Sequence, residues 1–309
     1  MNLLPRAFRA TRTFHSLLMC TLILALSGCG GSSANGSPPP GSPPSMNSFP
    51  QFGQVVLVIE ENHSYSEVIG SSAMPYLNSL AASYGLATQY FANTHPSIGN
   101  YFMLTTGQGI TNDDAFTGTV SADNLVRELT AAGKTWKSYA ESLPAQGYTG
   151  GDQYPYAKHH NPFAYLSDVV NSTTEAQNLV PFIQFSSDLA NQQLPNFSYV
   201  VPNLLNDAHD GTLQTADDWL QQNMAPLISS AAFQKAGLLI VVFDESDTSD
   251  TANGGGHIAG LIISPKAKPG FQSTTLYQHQ STLRLILHGL GVTTYPGAAN
   301  TASEMAEFF

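Results

Sequence analysis

Hydrophobic residues in this chain concentrate in short runs that are separated by polar segments. Residues 54–59 form a continuous apolar and β-branched run, which is typical of a strand covered on both faces of a sheet. The most strongly apolar run is Gly237–Phe243. Further strands are predicted at Trp136–Ala140, Phe197–Val201 and residues 258–264.

Segments with helical spacing of their apolar residues lie between these runs. The first, residues 74–84, is apolar at Leu77, Leu80 and Ala81 and is followed by Gly85 as a stop signal. Further helices are predicted at residues 98–106, 121–132, 215–230 and 276–290. Buried strands that alternate with helices predict an α/β fold, with a mostly parallel central sheet and helices on both faces.

The helix at residues 98–106 begins at a serine in an unusual setting. Pro96 disfavours a helical conformation for the residue before it, so a loop should end there. Ser97 is then suited to the N-cap position, and Gly107 to the C-terminal stop. A hydroxyl at this position lies beside unpaired backbone N–H groups, where an anion would bind. The alternative is that Ser97 only caps the helix.

The N-terminus has the pattern of a secretory signal. Arg6, Arg9 and Arg12 precede an apolar run at residues 17–26, which is too short to span a membrane comfortably. The run leads to Cys29 in a sequence similar to a bacterial lipobox, so we predict a lipoprotein signal peptide at 1–28 and lipidation of Cys29. The alternative is an ordinary signal peptide cleaved nearby. Gly30, rather than Asp, after the cysteine indicates a lipid anchor in the outer membrane.

Composition divides the rest of the chain into two parts. Residues 29–53 are rich in Gly, Ser and Pro and have little to bury, which predicts a flexible tether. Residues 54–309 are predicted to form a single domain, with no later apolar run long enough to cross a bilayer. Cys20 and Cys29 both lie in the signal region, so no disulfide is predicted in the mature domain.

The charge of the chain restricts its partners. The formal net charge is −11, and cleavage of the signal region would remove three arginines and leave −14. Such an acidic protein is a poor electrostatic partner for nucleic acid or an anionic membrane. If it acts on phosphate, it needs local positive charge, which a bound metal ion can supply.

Polar residues follow three of the predicted strands. In a parallel sheet these strand ends share one edge, where ligands bind. Their oxygen atoms, together with the Ser97 hydroxyl, would suit a hard cation, which would activate that hydroxyl as a nucleophile. Individually, the residues could be helix caps, solvated acids or backbone-bonding histidines. The residues concerned are Glu61, Asn62, Asp207, His209, Asp244 and Glu245.

Several short motifs resemble those of the bacterial phosphoesterase family, which includes acid phosphatases and phosphatidylcholine-type phospholipases C. The resemblance is carried, in the family's order, by ENHSY at 61–65, HPSIGNY at 95–101, KHHNPF at 158–163, PNLLNDAHD at 202–210, FDE at 243–245 with GGGH at 254–257, and YQHQS at 277–281. It covers roughly residues 54–296 and implies an alkaline-phosphatase-like catalytic domain at 54–309.

The resemblance also implies roles for individual residues. One divalent metal ion would be held by Glu61, Asn62, Ser97, Asp244 and Glu245. Ser97 would be the nucleophile that becomes phosphorylated, with Asn100, His160 and His209 contacting phosphate or aiding proton transfer. His159 and His257 are added as substrate-binding residues. Gly99 departs from the family's usual proline and puts the exact pose of Ser97 in question, which leaves Thr94 as the fallback nucleophile.

The expected function is that of a metal-dependent, acid-phosphatase-like phosphomonoesterase that hydrolyses small phosphorylated substrates through a phosphoserine intermediate. One alternative is a phospholipase C, although that branch usually has an Asn-Arg pair where this chain has Asn100 and Tyr101. Another is a domain that binds phosphorylated ligands without turnover. No protein partner is evident from the sequence.

Overall fold

The computed structural model describes residues 49–309. The predicted signal peptide, Cys29 and most of the tether lie outside the described residues. Phe52 is buried and its ring packs 5.4 Å from that of Phe309, so the packed chain already includes residues before the predicted domain start at Gln54. Among residues 49–309, no helix combines the length and the apolar character that a bilayer crossing requires.

An eight-stranded sheet forms the centre of the described part of the chain. Its spatial order is β4-β3-β5-β1-β6-β7-β2-β8. The strands are β1 (Gln54–Glu60), β2 (Gly85–Phe91), β3 (Trp136–Ala140), β4 (Leu179–Pro181), β5 (Phe197–Val201), β6 (Gly237–Phe243), β7 (His257–Ile263) and β8 (Gln272–Ser273). The prediction of a mostly parallel α/β sheet is confirmed.

One strand, β7, is antiparallel to its neighbours, so its beginning lies at the edge of the sheet where those neighbours end. β7 is antiparallel to both β6 and β2, whereas the remaining pairs are parallel. The beginning of β7, at His257, therefore lies beside the end of β2, at Phe91. The glycine-rich segment before β7 joins the segments that leave β1, β2 and β6 at the same edge.

Ten α-helices accompany the sheet within residues 49–309. They are α1 (Tyr65–Val68), α2 (Pro75–Ser83), α3 (Ile98–Thr106), α4 (Leu125–Ala131), α5 (Ser167–Val170), α6 (Thr173–Ala176), α7 (Ile183–Ala190), α8 (Leu213–Ser229), α9 (Ala231–Ala236) and α10 (His279–Gly289). Short 3₁₀ turns lie at Lys158–His160, Pro162–Tyr165, Gly297–Asn300 and Ala306–Phe308.

The helices form two groups on opposite faces of the sheet. α2 packs with α8, and α3 packs with α10. Glu60, at the end of β1, is near Asp217 of α8, whereas the next residue, Glu61, contacts Tyr101 of α3. Because successive residues of an extended chain point to opposite faces, the two contacts place α8 and α3 on different sides.

Three local predictions need correction. Gly85 was expected only to stop a helix, but it begins β2, whose mixed sequence lacks the continuous apolar run of the other central strands. The helix predicted from residue 121 begins at Leu125, because the Asn124 side chain accepts the N–H of Arg127 and is the N-cap. The helix predicted from residue 276 begins at His279, because Tyr277 is still extended and pairs with Tyr90.

Candidate functional site

Ser97 precedes α3 but does not use its hydroxyl as a cap. Its backbone is already helical, with φ −48° and ψ −48°, and its side chain makes no capping hydrogen bond within residues 49–309. The carboxylate of Asp114 instead accepts the N–H of Ile98 at 3.0 Å. The Ser97 hydroxyl points to Glu61 Oε2 at 3.4 Å. The cap-only alternative for Ser97 is therefore not the arrangement observed.

Glu61 is fully buried and joins three parts of the site. The Tyr101 hydroxyl, on α3, donates to Glu61 Oε1. His160 Nε2 lies 3.3 Å from the same oxygen, and the rings of Tyr101 and His160 are stacked with centroids 5.0 Å apart. Burial raises the pKa of the Glu61 carboxyl well above its usual value, and the nearby charge of Asp244 adds to the effect.

Asp244 is the first residue after β6, and hydrogen bonds connect it to the segment that follows β1 and to α10. Its Oδ1 accepts the backbone N–H of Asn62 at 3.0 Å, and its backbone carbonyl accepts Nε2–H of His279 at 2.6 Å. Asn62 has the uncommon positive φ of 56°, which turns the chain at the end of β1. Burial raises the pKa of Asp244 to about 6, while the nearby Ser97 hydroxyl opposes this rise.

Glu245 completes the carboxylates around Ser97. Its Oε2 accepts from Asn100 Nδ2 at 3.3 Å and lies 3.2 Å from His95 Nδ1. Burial raises its pKa to about 9, with a further contribution from the charge of Asp244. The Ser97 hydroxyl is close enough to lower this pKa as well. Glu61, Asp244 and Glu245 therefore surround one serine hydroxyl, as the strand ends predicted.

Asn100 is fully buried, and its side chain holds the loop that carries Ser97. Its Oδ1 accepts the backbone N–H groups of Asn93 and Thr94 at 2.9 and 3.1 Å, and its Nδ2 donates to the Thr94 carbonyl at 2.8 Å. The Thr94 hydroxyl is also engaged, since it accepts from Asn112 and donates to the His95 carbonyl. Thr94 is thus less free than Ser97 to act as a nucleophile, and phosphate contact by Asn100 stays a prediction.

The predicted histidines His160 and His209 lie beside this group. His160 is buried, and its Nδ1 is 3.5 Å from Asp207 Oδ2. Burial lowers the pKa of His160 and raises that of Asp207 to about 7. The ring of His209 lies 6.0 Å from that of His160 and is more exposed, with its Nδ1 2.8 Å from Asp210 Oδ1.

The other two predicted histidines occupy different surroundings. His159 packs edge-on against His160 at 4.4 Å, with Nδ1 3.7 Å from Asp152 Oδ1. His257 stacks between Tyr65 and Phe91, and its Nε2–H donates to the Thr88 carbonyl at 3.0 Å. These contacts of His257 are with residues outside the Ser97 group, so a direct role in substrate binding remains a prediction.

Two residues of the predicted ligand set have oxygen atoms that suit a cation. Asn62 Oδ1 and Asp244 Oδ2 are buried and have no hydrogen-bond partner in the described part of the chain. Buried polar atoms are normally satisfied, and oxygen donors of this kind are preferred by hard cations. No group of three or more His, Cys, Asp or Glu side chains in residues 49–309 is arranged to hold a metal by itself. The predicted set also includes the neutral oxygens of Asn62 and Ser97.

Three residues that contact the site around Ser97 have no role predicted from the sequence. His95 and Tyr101 belong to the motif around Ser97, so their position was a usable signal. Asp114 lies in the polar segment TNDD at 111–114, which resembles any exposed loop. Only its contact with Ile98 shows that it belongs beside the serine.

Comparison with known proteins agrees with these features. The sequence model of the phosphoesterase family matches residues 71–293. The phosphatidylinositol-3-phosphatase of Mycobacterium tuberculosis is 35% identical over 253 residues, which cover 81% of each protein. A probable acid phosphatase of Kluyveromyces lactis is 32% identical, over 75% of this chain and 56% of that protein. This chain therefore spans little more than half of the yeast relative.

Solved structures agree in fold. The phosphonate monoester hydrolase from Silicibacter pomeroyi superimposes with a TM-score of 0.57 and 13% identity, over 83% of this chain and 76% of that one. A protein in the alkaline phosphatase superfamily from Vibrio parahaemolyticus gives a TM-score of 0.56 and 13% identity, over 78% and 67%. The predicted alkaline-phosphatase-like fold is confirmed. The chain belongs to the phosphoesterase family and is a hydrolase that acts on phosphoric ester bonds.

Proposed function

We propose that this hydrolase is a metal-dependent phosphomonoesterase that uses Ser97 as its nucleophile. The observation that carries the proposal is the orientation of the Ser97 hydroxyl. Ser97 lies at the start of α3, but Asp114 accepts the N–H of Ile98 in its place. The Ser97 hydroxyl points into a group of buried carboxylates instead. A structural cap has no need of this environment, whereas a nucleophile that must lose its proton does.

The metal would be held by Glu61, Asn62, Asp244, Glu245 and the Ser97 hydroxyl. Asn62 Oδ1 and Asp244 Oδ2, which lack a hydrogen-bond partner within residues 49–309, support this set, as does the accumulation of buried carboxyl groups with raised pKa values. When bound, a divalent ion would lower the pKa of the Ser97 hydroxyl and offset negative charge on the phosphoryl group.

The chain's own residues then account for a two-step hydrolysis. The Ser97 hydroxyl gives up its proton as its oxygen attacks phosphorus, the bond from phosphorus to the ester oxygen breaks, and the leaving alcohol takes up one proton in exchange. Water attacks the resulting phosphoserine, which releases inorganic phosphate and restores the hydroxyl. His209, at the more exposed side, is suited to supply and recover the proton, whereas buried His160 is fixed between Glu61 and Asp207.

Monoesters are favoured over phospholipid diesters as substrates. The relatives above are named as phosphatases, and one of them as a phosphatidylinositol-3-phosphatase. At the position where the phospholipase branch usually has arginine, Tyr101 is fully buried and donates to Glu61. It therefore cannot replace an arginine as a cation toward a choline-phosphate diester.

A substrate panel tests this proposal directly. The purified protein should hydrolyse p-nitrophenyl phosphate and phosphorylated small molecules much faster than bis-p-nitrophenyl phosphate or phosphatidylcholine vesicles. The assay measures released phosphate or nitrophenol at matched enzyme concentration. Faster turnover of phosphatidylcholine than of any monoester would favour the phospholipase C alternative, and tight phosphate binding without turnover would favour the non-catalytic one.

We further propose that the enzyme is exported and lipid-anchored through Cys29. Replacement of this thiol in Cys29→Ser removes the atom that would carry the lipid, so the variant should move from the membrane to the soluble fraction. The measurement is immunoblotting of fractionated cells, with Cys20→Ser as the matched cysteine control. Equal membrane association of Cys29→Ser and the wild type would contradict the lipobox interpretation.

A further inference from the structure

The carboxylate of Asp114 occupies the place where an anion was expected to bind at the start of α3. Its Oδ1 accepts the N–H of Ile98, the residue directly after the nucleophile, at 3.0 Å. A backbone N–H at a helix start is a natural donor to a phosphate oxygen. In this chain that donor is already engaged by an internal negative charge.

The segment that carries Asp114 is packed tightly against the helix start. Asn112 Nδ2 donates to the Thr94 hydroxyl at 2.7 Å. Gly99 lies next to this contact, since a Cβ at that position would clash with Asn112 Oδ1 and Thr94 Cγ2. Because Gly99 has no side chain, the segment that contains Asn112 can lie directly over the start of α3. Asn112, two residues before Asp114, is thus held against the start of α3.

The negative charge of Asp114 affects the pKa values of groups around the nucleophile. It contributes to the raised pKa of Glu245 and opposes the lowering of the pKa of His160. Asp114 is itself only partly buried, so part of the residue remains open to solvent beside the start of α3. A phosphate dianion at Ser97 would meet this charge and would find the Ile98 amide already occupied.

We propose that Asp114 weakens the binding of inorganic phosphate at the phosphate site, because it is an internal anion that competes with phosphate for the Ile98 amide and so promotes product release. The inference rests on the proposed role of Ser97 as the phosphorylated residue. Product phosphate carries at least as much charge as the bound ester and no longer has the interactions of the leaving group. Repulsion by Asp114 is therefore no longer offset by those interactions once the leaving group has departed, and product binding is weakened.

Equilibrium binding of inorganic phosphate tests the inference. Asp114→Asn keeps an oxygen acceptor for Ile98 and removes the charge, so titration calorimetry on the full chain should show phosphate affinity raised by about tenfold or more. Asp113→Asn is the matched control, because Asp113 is the exposed neighbour and its replacement changes the net charge equally. Asp114→Glu should bind phosphate nearly as weakly as the wild type. The titrations are made with and without added divalent metal.

Several results would overturn the inference. They are unchanged or weaker phosphate binding by Asp114→Asn, and an equal gain in Asp113→Asn. A third is a selective loss of kcat for esters with poor leaving groups at unchanged phosphate affinity, which would make Asp114 a proton donor instead. If Asp114→Asn does not fold, Asp114→Ser gives the same comparison, since a hydroxyl also accepts from an amide. Phosphate binding requires no turnover, so the two proposals can fail separately. The titration can contradict the role of Asp114 while Ser97 remains the nucleophile, and kinetics can contradict the role of Ser97 while Asp114 still weakens phosphate binding.

Discussion

Replacing Ser97 with alanine is expected to lower kcat/KM for phosphate monoesters by several orders of magnitude while the protein still folds. The change removes the attacking oxygen and, with it, one of the proposed metal ligands. The folded state should be little affected, because the Ser97 hydroxyl does not cap α3 and Ile98 is capped by Asp114. Steady-state kinetics and thermal melting, measured on the same preparation, check both parts.

Two further variants sharpen this test. Ser97→Thr keeps a hydroxyl but adds a methyl group at a nearly fully buried position, so it should retain only a little activity. Thr94→Ala should stay substantially active, because the Thr94 hydroxyl serves the loop through Asn112 and His95. Loss of a simple N-cap would instead cost about 0.5–2 kcal/mol of stability and spare the chemistry. Near-wild-type turnover by Ser97→Ala would transfer the nucleophile assignment first to Thr94.

Removing the metal, or one of the carboxylates proposed to hold it, is expected to abolish most activity. Asp244→Ala and Glu245→Ala each delete a charged oxygen ligand beside Ser97. Disturbance of outer-shell contacts alone costs about 10–100-fold in metal affinity or activity, so loss of a direct ligand should cost more. Exhaustive chelation should have the same effect on the wild type, and activity should return when divalent ions are added back. Metal content by mass spectrometry and initial rates are the measurements.

A nearby carboxylate provides the control for this prediction. Asp247 follows β6 by four residues but is exposed, and its Oδ1 accepts the N–H of Ser249. Asp247→Ala should therefore retain both metal and activity. Asp244→Asn tests the charge alone, because the side chain keeps its size. Full activity of exhaustively chelated wild-type enzyme would refute the metal hypothesis, whatever the variants do.

The mostly parallel sheet and the position of the site at its edge could be predicted from the sequence. Gly237–Phe243 is so apolar that it is stable only when covered on both faces, and Asp244 and Glu245 follow it immediately. The same relation holds for β1 and Glu61. Where an apolar strand ends in carboxylates, chain connectivity alone delivers them to the edge, so the sequence was sufficient.

Strands and helix starts with weaker local signals were not predictable in this way. β2 has no continuous apolar run. It is a strand because its backbone pairs with β7 on one side and with β8 on the other. Ser97 has the expected position of an N-cap, yet its hydroxyl points to Glu61, and Asp114, from the following loop, accepts the N–H of Ile98. Local propensity describes what a segment can do alone, and these outcomes depend on a partner elsewhere in the chain.

The order of residues along the chain was enough to predict which polar side chains follow the strands and that Ser97 lies at the start of α3. The contacts of these residues depend instead on how distant segments pack: Tyr101 and His160 with Glu61, Asn100 with its own loop, and Asp114 with the amide beside the nucleophile. Residues adjacent in the chain are placed by backbone geometry, whereas hydrogen bonds between distant segments form only where packing brings the donor and acceptor within about 3 Å.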